Sequence, residues 1–104
     1  MSDFYTDIRE ECMVPWIKGW QQPTGVEVRE VIRRAGLTGR DAADLVGLSE
    51  KGGGRQIRRW ISGESHIPYA AWALLCYAAG LGAIWEVSAE EMRIFRRDIP
   101  LESS

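Results

Sequence analysis

Between Gly54 and Gly63 the chain reads Arg55-Gln56-Ile57-Arg58-Arg59-Trp60-Ile61-Ser62. Ile57, Trp60 and Ile61 fall at i, i+3 and i+4, which is one face of a helix. Arg55, Gln56, Arg58 and Arg59 are then turned away from that face. A guanidinium can pair bidentately with a guanine edge, and a glutamine amide with an adenine edge. A short helix carrying such groups suits the major groove of a DNA duplex. Four polar residues on a helix also make an ordinary solvated face, so the surrounding elements must decide between the two.

Other chemistries find little support. His66 is the single histidine and has no paired nucleophile or carboxylate cluster of fixed spacing, so no catalytic constellation is formed. Cys12 and Cys76 lie far apart and fit no zinc spacing; they read as two buried thiols. The run Glu50-Lys51-Gly52-Gly53-Gly54 is glycine-rich beside a lysine. It lacks the Gly-Lys-Ser/Thr order with which a phosphate-binding loop opens its helix. Neither an enzyme, a cofactor nor a metal is expected.

The charge distribution says more than its total. The 104 residues carry a net charge of -2 and an isoelectric point near 5.4, which by itself disfavours a polyanionic partner. Residues 1–30 hold three basic and six acidic side chains, residues 31–60 seven and three, and residues 61–104 three and six. The middle is thus net +4 between two flanks of -3, a positive footprint hidden by the sum.

The elements that would position this footprint are short and helical. Phe4, Ile8 and Cys12 recur at helical spacing and predict a helix over 2–13, ending before Pro15. The tryptophan-rich stretch around Trp16 and Trp20 reads as an irregular arm. Thr24 and Glu27 form a capping box, and Val28, Val31, Ile32 and Ala35 mark the apolar face of the helix they start. Thr38 is the next N-cap, before a helix with Ala42, Ala43, Leu45 and Val46. Ala43 is small enough to let a second helix cross closely, and Gly47 permits a sharp turn. The reading helix is expected over 55–62. Pro68 suits the first turn of the next helix, whose stripe is Tyr69, Trp72, Leu75, Cys76 and Ala79. Ser88 and Glu91 form another capping box, opening a helix to about Arg97. No strand is predicted. Residues 67–85 carry no charged side chain, but their helical part, 68–79, has the length of a buried core helix rather than a bilayer span.

In this order, Gly36-Leu37-Thr38, Ala43, Gly47-Leu48-Ser49, Ile57, Trp60, Gly63 and Pro68 resemble the repressor-type helix-turn-helix proteins of phages and plasmids. These form the xenobiotic-response-element, or lambda Cro-like, family. The resemblance covers about residues 26–79. It implies an all-α, five- to six-helix lambda-repressor-like domain containing a helix-turn-helix. It also implies a homodimer that binds a palindromic DNA operator and represses transcription; the two thiols are those of a cytoplasmic protein. Three features depart from the family pattern. Gly39 stands where a phosphate-supporting glutamine is common, leaving that role to Arg40. Ile32 and Ile61 replace an arginine–glutamate pair, consistent with apolar packing in place of a costly buried ion pair. The stretch from Ser49 to Trp60 is longer than usual, carrying Lys51 on the added loop.

The expected organisation is an N-terminal helix and arm over 1–23, a DNA-binding domain over 24–86, and a C-terminal helix and tail over 87–104. Arg55 and Arg59 are assigned to base edges, and Gln56 and Arg58 to bases or phosphates. Lys51, Arg40, Ser49, Thr38, Ser65 and His66 are assigned to the DNA backbone. The helix over 68–79 is apolar on nearly every face, and a helix of that kind is buried all round. Leu74, Tyr77, Leu81, Ile84 and Trp85 are therefore assigned to a dimer interface, with cover by the N-terminal arm as the competing explanation. The alternative function is an antitoxin-like or other protein-binding adaptor that uses the same fold to hold a partner protein.

Overall fold

Three helices of the chain open on side-chain caps. In the computed structural model, which describes residues 7–48 and 51–97, Thr24 starts α1 (Gly25–Ala35) and Thr38 starts α2 (Gly39–Leu45). Each threonine oxygen accepts the N–H three residues on, and Glu27 or Asp41 reaches back to the cap N–H. Ser88 and Glu91 make the same reciprocal pair at α5 (Ala89–Arg97). Such caps satisfy backbone donors that a helix leaves open at its start. α3 (Gly53–Ser62) and α4 (Tyr69–Ala78) have none and begin after Gly52 and Pro68. The described residues contain five α-helices and no strand, so the fold is all-α.

The core gathers one face from each of the first four helices. Val28, Val31 and Ile32 meet Ala42, Ala43, Ile57 and Trp60, with Trp72, Leu75 and Cys76 behind them. Ile67 and Ile84 belong to the same cluster. Ile61 packs on this core, and Ile32 lies within it. Two close backbone approaches set the helix crossings. A β-carbon on Gly25 would overlap the carbonyl of Ile61, so the first turn of α1 rests directly on the last turn of α3. A β-carbon on Gly53 would stand 2.8 Å from that of Ala43, so α3 crosses α2 with no side chain between.

The expected helix over 2–13 is not what the arm forms. Residues 1–6 lie outside the described residues, and the rest holds a single 3-10 turn at Glu10–Cys12. Arg9 is extended, because its backbone and side chain both turn to Glu27 on α1. Ile8 and Cys12 are nonetheless buried. Their spacing marked burial against another element, not a helix axis.

A buried ion pair fastens the arm. Glu27 is 3% exposed. It accepts from the Arg9 backbone N–H, Nε and Nη2 at 3.0 Å each, and from Thr24 N at 2.7 Å. Burial alone would raise this carboxyl. The donors of Arg9 and Thr24 outweigh burial and hold it at about 2, below its ordinary 4.5. Beside it, burial and the Glu27 charge push the Cys12 thiol up to about 11. Burial raises Cys76 to about 12, and both cysteines are free thiols. Two indoles, Trp20 and Trp72, donate to the Cys12 carbonyl at 3.0 and 2.6 Å. Gln22 donates to the Ile67 carbonyl at 2.8 Å. Lys18 reaches Glu91 at 2.6 Å and ties the arm to α5.

No helix among the described residues is long and apolar enough to cross a membrane. The uncharged stretch over 67–85 contains the ten residues of α4 and a turn leading to Ile84.

Candidate nucleic-acid interface

α2 and α3 form a helix-turn-helix whose turn is set by glycine. Gly47 takes φ 82°, a left-handed conformation that costs a side-chain-bearing residue strain. Leu48 N–H then donates back to the Ala43 carbonyl at 2.9 Å. α3 begins two residues earlier than its apolar periodicity indicates, at Gly53 instead of Arg55. Glycine is a poor helix former, but Gly53 is buried against Ala43 and Leu48, where only glycine fits. Tertiary contact overrides local preference here.

Ile57 and Trp60 are buried, which leaves Arg55, Arg58 and Arg59 on the exposed side of α3. Gln56 is half-buried, and its amide donates to Ser65 Oγ at 3.3 Å. Ser65 N–H in turn donates to the Arg59 carbonyl at 3.2 Å, so the loop after α3 is held against the helix. His66 is exposed on that loop. Arg40 is exposed in the first turn of α2, and Lys51 is exposed just ahead of α3. The Thr38 hydroxyl serves as the α2 cap, accepting from Asp41 N at 3.0 Å. Ser49 lies outside the described residues. The structure thus places the expected residues of α2, α3 and the following loop on connected elements. Sequence reasoning missed Gly53 and Gly54 as helical residues, because the contact that places them is not local.

The charges divide by region. Arg9 pairs with Glu27 at 3.0 Å, Lys18 with Glu91 at 2.6 Å, and Arg33 and Arg34 with the buried Glu30 at 2.7 and 2.6 Å. Arg93 pairs with Glu90. Among the described residues, Arg40, Lys51, Arg55, Arg58 and Arg59 form no ion pair, and neither does Arg29 on α1. Unpaired cations concentrated on one surface of an acidic protein make a localised positive field.

Apolar side chains are exposed on and after α4. Leu74 and Tyr77 project from α4 at 40% and 61% exposure, and Trp85 is 44% exposed. The Tyr77 and Trp85 rings lie 5.8 Å apart. Among the described residues of the arm, Trp16 and Trp20 meet Tyr69 edge-on, with ring centroids 5.9 and 5.1 Å apart. Leu81 is half-buried, and Ile84 is buried in the chain's own core.

Two proteins of Escherichia coli, each called transcriptional repressor protein KorC, are similar to this chain. One is 56% identical over 86 residues, covering 83% of this chain and 96% of its own length. The other is 59% identical over 80 residues, covering 77% and 92%. The chain belongs to the KorC family of transcriptional repressors. Nearly the whole of each KorC relative is covered, so the shared family extends over the complete relatives and not a fragment of them. No family model matches the chain, and no solved structure matches it.

Proposed function

We propose that this protein is a transcriptional repressor that binds duplex DNA as a homodimer, with α3 in the major groove. The observation that carries this reading is the cluster of unpaired cations on and between α2 and α3, whereas Arg9, Lys18, Arg33, Arg34 and Arg93 are each paired. Membership of a repressor family supports the same reading. Arg55 and Arg59 read base edges. Arg40, Lys51, Ser49, Thr38, Ser65 and His66 hold the register on the sugar-phosphate backbone. Gln56 acts by joining α3 to the loop that carries Ser65, in keeping with its hydrogen bond there. The helix-turn-helix belongs with the lambda Cro-like type.

Leu74, Tyr77, Leu81 and Trp85 form the dimer face, with Ile84 supporting it from beneath. Two copies joined there would present two reading helices to a palindromic operator. Half-site centres then lie about 34–36 Å apart, or a multiple of that. The experiment is a gel shift on DNA from the protein's own promoter region, paired with sedimentation at micromolar concentration. A retarded complex and a dimer are expected. A monomer that binds no duplex would overturn the reading. Co-purification of a different polypeptide on the Leu74–Tyr77 face would replace the homodimer with an adaptor.

A further inference from the structure

Against the α2–α3 surface lies a hollow of about 230 Å³. Arg40, Lys51, Arg55 and Arg58 line it, with Asp44 as the one carboxylate among the described residues. None of the four cations forms an ion pair among the described residues. Four positive groups around one small space repel each other, and Asp44 offsets a single charge. An anion seated among them would relieve that repulsion and gain several charge-assisted hydrogen bonds.

Gly54 forms part of the same wall. Its neighbour Gly53 has no room for a side chain, but Gly54 does. A β-carbon there would meet only Arg58 Nη1 within 4 Å, at 3.8 Å. In a helix, glycine is less stable than alanine by about 1 kcal/mol. Packing explains that loss at Gly53 and not at Gly54. What Gly54 does provide is an open wall, with no side chain standing beneath the Arg58 guanidinium.

We propose that this hollow is the seat of one DNA backbone phosphodiester, held by Arg40, Lys51 and Arg58, with Arg55 at its edge reaching on to a base, and kept open by Gly54. The assignment rests on the reading that α2–α3 binds duplex DNA. It makes Arg58 a phosphate contact rather than a base contact. It also gives the glycine-rich stretch a function beyond lengthening the turn.

The test is Gly54→Asp, in the full chain. An acid in the first turn of a helix favours the helix, and the site has space, so the thermal melt should hold. The probe is a short duplex of arbitrary sequence, titrated over a range of salt. The wild type should bind it with a steep salt dependence. Gly54→Asp should weaken binding more than tenfold, equally for every sequence tried. It should also flatten the log–log slope by about 0.9, one phosphate contact. Should Gly54→Asp lower the melt, the exposed pair Arg40→Ala with Lys51→Ala carries the same test. A methylphosphonate scan of the duplex should find a position to which the wild type is sensitive and the variants are not. If wild type and variants bind alike with equal slopes, the phosphate seat is wrong while DNA binding stands. If the wild type binds no duplex, the functional reading falls with it. If inorganic phosphate raises the melt of the wild type alone while duplex affinities match, the seat takes a free anion, and the DNA assignment is overturned.

Discussion

The arm and α1 treat charge in one way, and α2–α3 in another. Glu27 and Glu30 are buried, and each meets arginine from its own neighbourhood. On α2–α3 the cations outnumber the acids and project outward, while Asp41 is engaged in capping. In the first region charge is enclosed to fix one arrangement of the chain. In the second it is left for something outside the chain. Two arginines of the same chemistry, Arg9 and Arg55, should therefore fail in opposite ways when removed.

Stability should be most sensitive where backbone meets backbone. Gly25→Ala places a methyl in the Ile61 carbonyl, and the rigid α3 terminus cannot yield cheaply. A loss of about 3 kcal/mol or more in a denaturant titration is expected, at the upper end of overpacking. An unchanged midpoint would mean that α1 and α3 do not approach this closely.

Arg9→Ala should follow. It leaves Glu27 buried with only part of its donor set. Loss of one partner of a buried pair costs about 3–5 kcal/mol, and the half-exposed Arg9 side chain reduces this to about 2 kcal/mol. The pH dependence has a definite sign. The Glu27 carboxyl is held at about 2 in the fold against an ordinary 4.5. Its contribution is thus present above pH 4.5 and disappears as pH falls toward 2. Wild type and Arg9→Ala should converge in stability over that window when melted at successive pH values. A constant gap would remove Glu27 from the explanation.

Gly53→Ala should have a smaller effect on the fold. The clash with Ala43 costs about 1–3 kcal/mol, and the better helix propensity of alanine offsets about 1 kcal/mol. The variant is informative because α3 must shift away from α2. DNA affinity should fall more than the melt. Equal small changes in both would show that the crossing does not position the reading helix.

Arg55→Ala should alter stability least, within about 0.5 kcal/mol, as surface changes do. It should still weaken operator binding by about 1–3 kcal/mol and relax discrimination at one base pair. A gel shift on matched and single-substituted duplexes reads both. Intact affinity and discrimination would place base reading elsewhere on α3.

What was legible in the chain was what is local. Thr24 with Glu27 and Ser88 with Glu91 announced helix starts, because a cap is made within three residues. Ile57 and Trp60 announced the buried side of α3 through their spacing. The Arg9–Glu27 pair bridges eighteen positions and carries no spacing signal. The same holds for Gly25 against Ile61 and for Gly53 against Ala43. Ile8 and Cys12 imitated a helix because an arm anchored on Glu27 of α1 and Trp72 of α4 buries residues at similar intervals. α4 was expected to need cover beyond its own core, and its Leu74 and Tyr77 are exposed in the single chain. Composition reported that this face needs cover, but not what covers it. The candidate DNA surface was visible as a positive middle segment. Its hollow and open glycine wall required the crossing of α2 and α3.

The central claim is that the unpaired cations of α2–α3 are the ones that meet DNA. The most direct measurement compares Arg55→Ala with Arg59→Ala, combined in one chain, with Arg33→Ala, whose arginine is paired to Glu30. Each is titrated against duplex from the protein's own promoter region and melted in the same buffer. The account predicts that the double variant keeps its melt and loses most of its binding, while Arg33→Ala keeps its binding. Equal loss of binding in the two, or full binding by the double variant, would contradict it.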